Sequence, residues 1–254
     1  MKRLSVLLVV ICLGGCRPGR PQPKSELTIA AAANLTDVFE QIGPRFEADT
    51  GIHPKFSFAS TAQLTRQIEN DAPFDVFAAA DSQHVAELEQ KGLLVAGSRA
   101  VYGRGTLALW ILESAKTAVQ RIEDLKLPGV RVISIAKPEL APYGQAAVDT
   151  LQKLAIWEQV KSKVVYAENI SMAKQYGTSK NADAVFTAYS LVLHESGKVI
   201  QVDESLHKPI DQELGILAKS SRRDDARKFV AFLLTGVGKS ILTSYGYQSP
   251  APSP

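Results

Sequence analysis

The chain has 254 residues, 45% of them hydrophobic, with 29 Lys and Arg against 26 Asp and Glu, for a formal charge of +3. That length allows one large domain or two small ones with a sizeable core. The near balance of charge gives no polyanion-binding surface, so a nucleic-acid partner is excluded.

The first fifteen residues are set apart from the rest. Lys2 and Arg3 precede a ten-residue apolar run, Leu4 to Leu13, too short to span a bilayer and typical of an export signal. Leu13-Gly14-Gly15-Cys16 follows, a spacing of small residues before cysteine that resembles a bacterial lipobox and implies cleavage before Cys16 with lipid on its sulfur. The other reading is a plain secretory signal with an incidental cysteine. Cys12 leaves with the signal, so no disulfide forms and stability rests on the core. Without the signal the net charge is about +1. Arg17 to Ser25, with three prolines and a glycine, reads as an extended tether, and residues 249–254 as a loose tail.

From Glu26 the pattern alternates strand and helix. Thr28-Ile29-Ala30 is a β-branched and apolar run leading through Ala31, Ala32 and Ala33 to Asn34. Leu35, Val38, Phe39, Ile42 and Phe46 then fall on one helical face. Asn34 is placed as an N-cap, and Pro44 is expected to kink or break the helix near Ile42–Gly43. The second strand, Ile52 to Phe58, runs into Ala59-Ser60-Thr61-Ala62 and a helix with Leu64 and Ile68. A strand end opening onto an uncluttered helix start is an anion-binding arrangement, and it occurs here twice. The plain alternative is an ordinary pair of β–α units.

Further strands are expected at Phe74 to Ala80, in Leu93 to Ile111, in the VRVISI run ending at Ile135, and at Val164–Tyr166. Others fall at Asp183–Tyr189, Val199–Val202 and Leu214–Ala218. Helices are expected after Ala141-Pro142-Tyr143-Gly144, after Glu168-Asn169-Ile170-Ser171, through Ser190–Ser196, from a capping box at Ser221 and Asp224, and from Gly238 to about Ser244. The sum is an α/β chain with mostly parallel sheets.

Enzyme signatures are missing. His53, His84, His194 and His207 are scattered without metal-ligand spacing, and no nucleophile elbow, phosphate loop or CxxC is present. Gly103-Arg104-Gly105-Thr106-Leu107-Ala108 matches a dinucleotide fingerprint in letters, but a β-rich run follows the glycines, so the segment reads as a turn between strands. Asp75, Asp81 and Asp183 border strands unpaired and read as structural caps. What remains is a set of neutral donors where strands give way to helices: Asn34, Ser60 and Thr61, then Tyr143, the Ile170 amide and Tyr189. Tyr143 also reads as a surface turn aromatic, Ile170 as a core residue, and Tyr189 as a core tyrosine. A cavity of donors without lysine or arginine suits a fully deprotonated oxyanion, because hydrogen phosphate brings a proton that needs an acceptor.

AAANL at 31–35, FASTAQLTRQIE at 58–69, DAPFDVFAAAD at 71–81, and the PYG turn with LQKLAIWEQV at 151–160 resemble the periplasmic molybdate-binding proteins of ABC transporters. The resemblance covers residues 26–247. It implies the two-lobed type II binding-protein fold, with residues 26–105 and 218–248 in one lobe and 106–217 in the other. It implies hinges near Gly105–Leu109 and Leu214–Leu217. The ligand is molybdate or tungstate, held by Asn34, Thr61 with Ser60 adjacent, the Tyr143 and Ile170 amides, and the Tyr189 hydroxyl. Molybdenum is bound only as the oxyanion, with no direct protein ligand and no cofactor. Two departures from the family pattern stand out. Asn34 replaces a hydroxyl residue and brings a carbonyl that has to point away from the anion, and Thr61 adds a methyl. The implied partners are an ABC permease with its cytoplasmic ATPase and, through Cys16, a membrane; the protein is expected to be a periplasmic-side monomer. A receptor for another tetrahedral oxyanion such as sulfate, an exported α/β enzyme on a small anion, and a structural envelope lipoprotein are the competing readings.

Overall fold

The computed structural model describes residues 25–249 except 114 and 116–118. The export signal, Cys16, the tether and all but the first residue of the tail lie outside them.

In chain order the elements are β1 (Glu26–Ala32), α1 (Thr36–Thr50), β2 (His53–Ala59), α2 (Thr61–Glu69), β3 (Val76–Ala78), α3 (Gln83–Gln90), β4 (Ala100–Gly105) and β5 (Leu107–Ile111). There follow β6 (Ile133–Ala136), α4 (Pro142–Lys153), α5 (Trp157–Val160), β7 (Val164–Ala167), α6 (Ile170–Thr178), β8 (Ala184–Ala188), β9 (Lys198–Gln201), β10 (Ile210–Ile216), α7 (Arg223–Leu234) and α8 (Gly236–Ser244). Two five-stranded sheets result, ordered β2-β1-β3-β10-β4 and β7-β6-β8-β5-β9, each the centre of one lobe. Both are mixed. β1 pairs in parallel with β2 and β3, and β6 with β7 and β8, as right-handed β–α crossovers require. The antiparallel pairs all involve β5 or β10, the strands that follow the two passages between lobes.

Those passages are at Thr106, between β4 and β5, and at residues 202–209, between β9 and β10. The second comes earlier than the sequence suggested. Residues 210–216 pair with β3 and β4 in the first sheet, so they belong to the first lobe, and Leu214–Leu217 is not an interlobe hinge. Gly103-Arg104-Gly105 is likewise the end of a strand rather than a turn.

Hydrophobic burial drives the rest. On one face of the first sheet Phe39, Phe46 and Phe229 from α1 and α7 pack ring on ring over Ile29 and Val76, all fully buried. Leu64, Ile68, Val85 and Leu88 of α2 and α3 cover the other face. The second lobe has one continuous core around Leu109, Ile133, Ile135, Phe186 and Leu151.

Several local expectations give way to tertiary context. α1 runs through Pro44 uninterrupted, because Ile42 and Phe46 on either side are anchored in the core. Asn34 does not cap it: Ala33–Leu35 form a 3₁₀ turn that flows into α1, with the Thr36 hydroxyl on the Ala33 carbonyl. The capping box at Ser221 does not form. Instead α7 starts after Arg222, whose amide donates to Ser220 Oγ. Ser190–Ser196 makes only a 3₁₀ turn, Tyr189–Leu191, not a helix. The three aspartates do act as structural caps. Asp75 accepts from the Thr28 amide and the Ser220 hydroxyl, Asp81 from the His84 amide, and Asp183 from the Arg131 and Val132 amides.

Candidate functional site

Four chain reversals meet where the lobes face each other. Ala32, Ala33 and Asn34 come from the end of β1, Ser60 and Thr61 from the start of α2, Ala141, Pro142 and Tyr143 from the start of α4, and Ile170 from the start of α6; Ala80 completes the wall. The space they enclose is very small, about 10 Å³. That is far below the ~300 Å³ at which pockets begin to take drug-sized molecules, and is on the scale of a water or a small ion.

The chemistry of the wall follows from which groups are already occupied. Thr61 and Ile170 are the first residues of their helices and Tyr143 the second of its own, positions whose amides have no acceptor within the helix. The three helix starts add their positive dipole ends at the same point. The strand-end alanines carry nothing larger than methyl, which leaves the Asn34 turn open to the cavity. Thr61 Oγ1 accepts from the Ala80 amide at 3.1 Å, so its own proton is directed elsewhere. Ser60 is 3% exposed, and its hydroxyl faces the Gln63 amide in a capping box without closing a hydrogen bond to it, so its proton has no acceptor in the protein. The Ser60 amide donates to Gln63 Oε1, which fixes the turn that aims this hydroxyl. No charged side chain lines the cavity, and among the described residues no cluster of His, Cys, Asp and Glu could hold a metal ion.

Asn34 is oriented by a buried polar layer behind the cavity. Its Nδ2 donates to Gln212 Oε1 at 2.8 Å and to the Tyr247 hydroxyl at 2.9 Å, and its Oδ1 is unpartnered. Gln212 in turn meets the hydroxyls of Tyr102 at 2.6 Å and Tyr143 at 2.8 Å. Ser190 Oγ and the Tyr247 hydroxyl both donate to the Asn34 carbonyl. Burial pushes the Tyr102 and Tyr143 phenols well above their ordinary pKa, and that of Tyr247 up to about 12, so all three stay neutral.

Of the six residues singled out in the sequence, Asn34, Ser60, Thr61, Tyr143 and Ile170 are brought together. Tyr143 is no surface aromatic, being 1% exposed with its ring in the core. Tyr189 does not line the cavity. Its amide is tied to the Thr106 carbonyl, and its ring lies where a side chain on Gly246 would sit, 2.6 Å from that glycine's notional Cβ. Its neighbour Ser190 joins the polar layer behind the cavity, through the Asn34 carbonyl and the Tyr247 hydroxyl. Gln212, Tyr102 and Tyr247 leave no signal in the sequence, because their contacts with Asn34 and one another span up to 213 residues and obey no local spacing.

Contacts across the mouth hold the lobes together. Ser171 Oγ donates to the Ala33 carbonyl, the Ala62 amide to the Leu140 carbonyl, and Lys174 lies 3.6 Å from Asp37. Two lobes joined by two passages, closed on a small donor-lined cavity, define a ligand-capturing binding protein.

Comparison with known proteins agrees with that class. The chain belongs to the bacterial extracellular solute-binding protein family, whose model matches residues 27–248, and within it to the molybdate-binding proteins. It is 37% identical to the molybdate-binding protein ModA of Azotobacter vinelandii over 96% of this chain and 98% of that one. It is 33% identical to ModA of Rhodobacter capsulatus, over 89% and 90%. The solved periplasmic molybdate-binding protein of Azotobacter vinelandii superposes with a TM-score of 0.85 at 26% identity, covering 89% of this chain and all of that one.

Proposed function

We propose that this chain captures molybdate, and tungstate with it, in the interlobe cavity and delivers it to an ABC permease driven by a cytoplasmic ATPase. The observation that carries this reading is the buried Ser60 hydroxyl without a partner, in a cavity with three helix starts and no charged side chain. Such a site takes a dianion through hydrogen bonds and dipoles alone. It offers hydroxyls and amides with their protons free, so an oxyanion without a proton is bound and one that carries a proton is disfavoured. The anion receives the Ser60 and Thr61 hydroxyls and the amides of Asn34, Tyr143 and Ile170. No covalent step occurs, since no activated nucleophile or acid–base pair lines the cavity.

The receptor is exported, tethered on the periplasmic side by lipid on Cys16, and acts as a monomer. Ligand binding shifts an open population toward the closed form, with bending at Thr106 and in residues 202–209, and the permease recognises the closed lobes. Calorimetric titration of residues 26–254 with molybdate, tungstate, sulfate and phosphate tests this. Tight one-to-one binding of the first two with weak binding of the others is expected. Binding of none of the four overturns the reading, and a preference for sulfate reassigns the ligand.

A further inference from the structure

The proton count in the layer behind the cavity does not close in the orientation described above. Tyr102 has one hydroxyl proton and two acceptors, the Ala79 carbonyl at 2.8 Å and Gln212 Oε1 at 2.6 Å. Tyr143 receives a proton from Gln212 Nε2, but its own proton has no acceptor among the bonds it makes. Asn34 leaves a bare carbonyl oxygen in the wall of a cavity built for an anion. All three faults share one cause.

Exchanging oxygen and nitrogen in both carboxamides leaves every heavy atom in place and removes them together. Gln212 Nε2 then donates one proton to Asn34 Oδ1 and the other to the Tyr102 oxygen, which frees the Tyr102 proton for the Ala79 carbonyl. Gln212 Oε1 accepts the proton of Tyr143. Asn34 Oδ1 then takes the Tyr247 proton, the Asn34 main-chain carbonyl is left to Ser190 Oγ, and Asn34 Nδ2 becomes a free donor at the cavity. One carboxamide cannot turn alone, because the two would then meet oxygen to oxygen or nitrogen to nitrogen across 2.8 Å.

We infer that Gln212 is a positioning residue that sets the Asn34 carboxamide with its NH₂ toward the anion, so that a residue of β10, behind the cavity, decides whether the cavity wall donates or accepts. This rests on the oxyanion-receptor reading above and goes beyond it by placing anion selectivity outside the cavity lining. Gln212 is completely buried. Its place is kept by Gly105, where an added Cβ would fall 2.2 Å from Gln212 Nε2 and 1.9 Å from the Tyr143 hydroxyl. A side chain at 105 would push both partners aside.

The test is a double-mutant cycle with Gln212→Met and Asn34→Ala, read as molybdate affinity by calorimetry. The expected result is a loss of about tenfold or more for Gln212→Met in the Asn34 protein and less than about twofold in the Asn34→Ala background. Equal losses in both backgrounds make Gln212 merely structural and overturn the inference. A second measurement needs no variant. In the unaltered protein with molybdate bound, nuclear Overhauser contacts from the Gln212 NH₂ protons should reach the Tyr102 ring; contacts to the Tyr143 ring overturn the assignment. If the unaltered protein binds no molybdate, it is the receptor reading that fails, not the orientation.

Discussion

The hydroxyl of Ser171, in the first turn of α6, donates to the carbonyl of Ala33 at 2.7 Å, and so ties the second lobe to the strand end of the first beside the cavity. The bond exists only when the lobes are closed. Deleting it with Ser171→Ala removes about 0.5–1.5 kcal/mol from the closed form. Molybdate affinity should fall by roughly two- to tenfold, mainly as faster release, which stopped-flow dissociation measures.

Ser60→Ala should weaken binding more than stability. Ser60 is the N-cap of α2 but its hydroxyl closes no hydrogen bond to the helix, so the unfolding free energy should fall by no more than about 1 kcal/mol. A charge-assisted bond to the anion is worth about 1.5–3 kcal/mol, so affinity should drop by roughly tenfold or more. Thr61→Val should do both, since it also strips the Ala80 amide of its acceptor. Paired titration and denaturation curves would distinguish the two residues.

Gly105→Ala introduces a methyl at a position already held by the Tyr143 hydroxyl and Gln212. Overpacking of that kind costs about 1–3 kcal/mol of stability. Denaturant unfolding should show that loss, and molybdate affinity should fall with it because both displaced groups support the site.

Three buried phenols make a prediction about alkaline pH. Tyr102, Tyr143 and Tyr247 hold their protons in the native state above the pH at which they lose them unfolded. The native form then binds more protons than the unfolded one, so stability should fall as pH rises past about 10. Anion affinity, by contrast, should be flat between about pH 6 and 9, because no group in the cavity wall titrates there. Urea midpoints and titrations across pH check the two halves.

His84 acts in the same sense, but nearer neutral pH. Its hydrogen bond to Asp81 raises its pKa, outweighing partial burial, so the charged pair stabilises the fold below about pH 6.5. That contribution is lost as pH rises through the raised native pKa. His84→Gln should therefore cost under about 1 kcal/mol in mild acid and nothing in alkali, by thermal unfolding at both pH values.

How far the sequence reveals the molecule depends on the range of the physics involved. β1 and α1 could be read because both are written in a few adjacent residues, the buried run Thr28–Ala33 and the face from Leu35 to Phe46. Asn34, Ser60, Thr61, Tyr143 and Ile170 could be picked out as donors at strand-to-helix junctions, but their meeting in one cavity followed from resemblance to a family, since no local rule brings four reversals together. Tyr189 was misplaced because a tyrosine after a buried strand looks the same whether it faces the cleft or Gly246. Pro44 was misjudged for a related reason: its cost is local, while the packing of Phe46 that outweighs it comes from α7. Gln212 was invisible, a lone polar residue in a strand whose partners lie on other elements.

Tyr247 carries a consequence of its own. It touches Asn34 from the far end of the chain, and Gln248 pairs with Arg104 just beyond it. A segment folded only as far as α7 leaves Gln212 alone to turn Asn34. The cavity wall is therefore finished by a residue 213 positions away from the one it orders, so the site couples the earliest strand of the described fold to its latest turn.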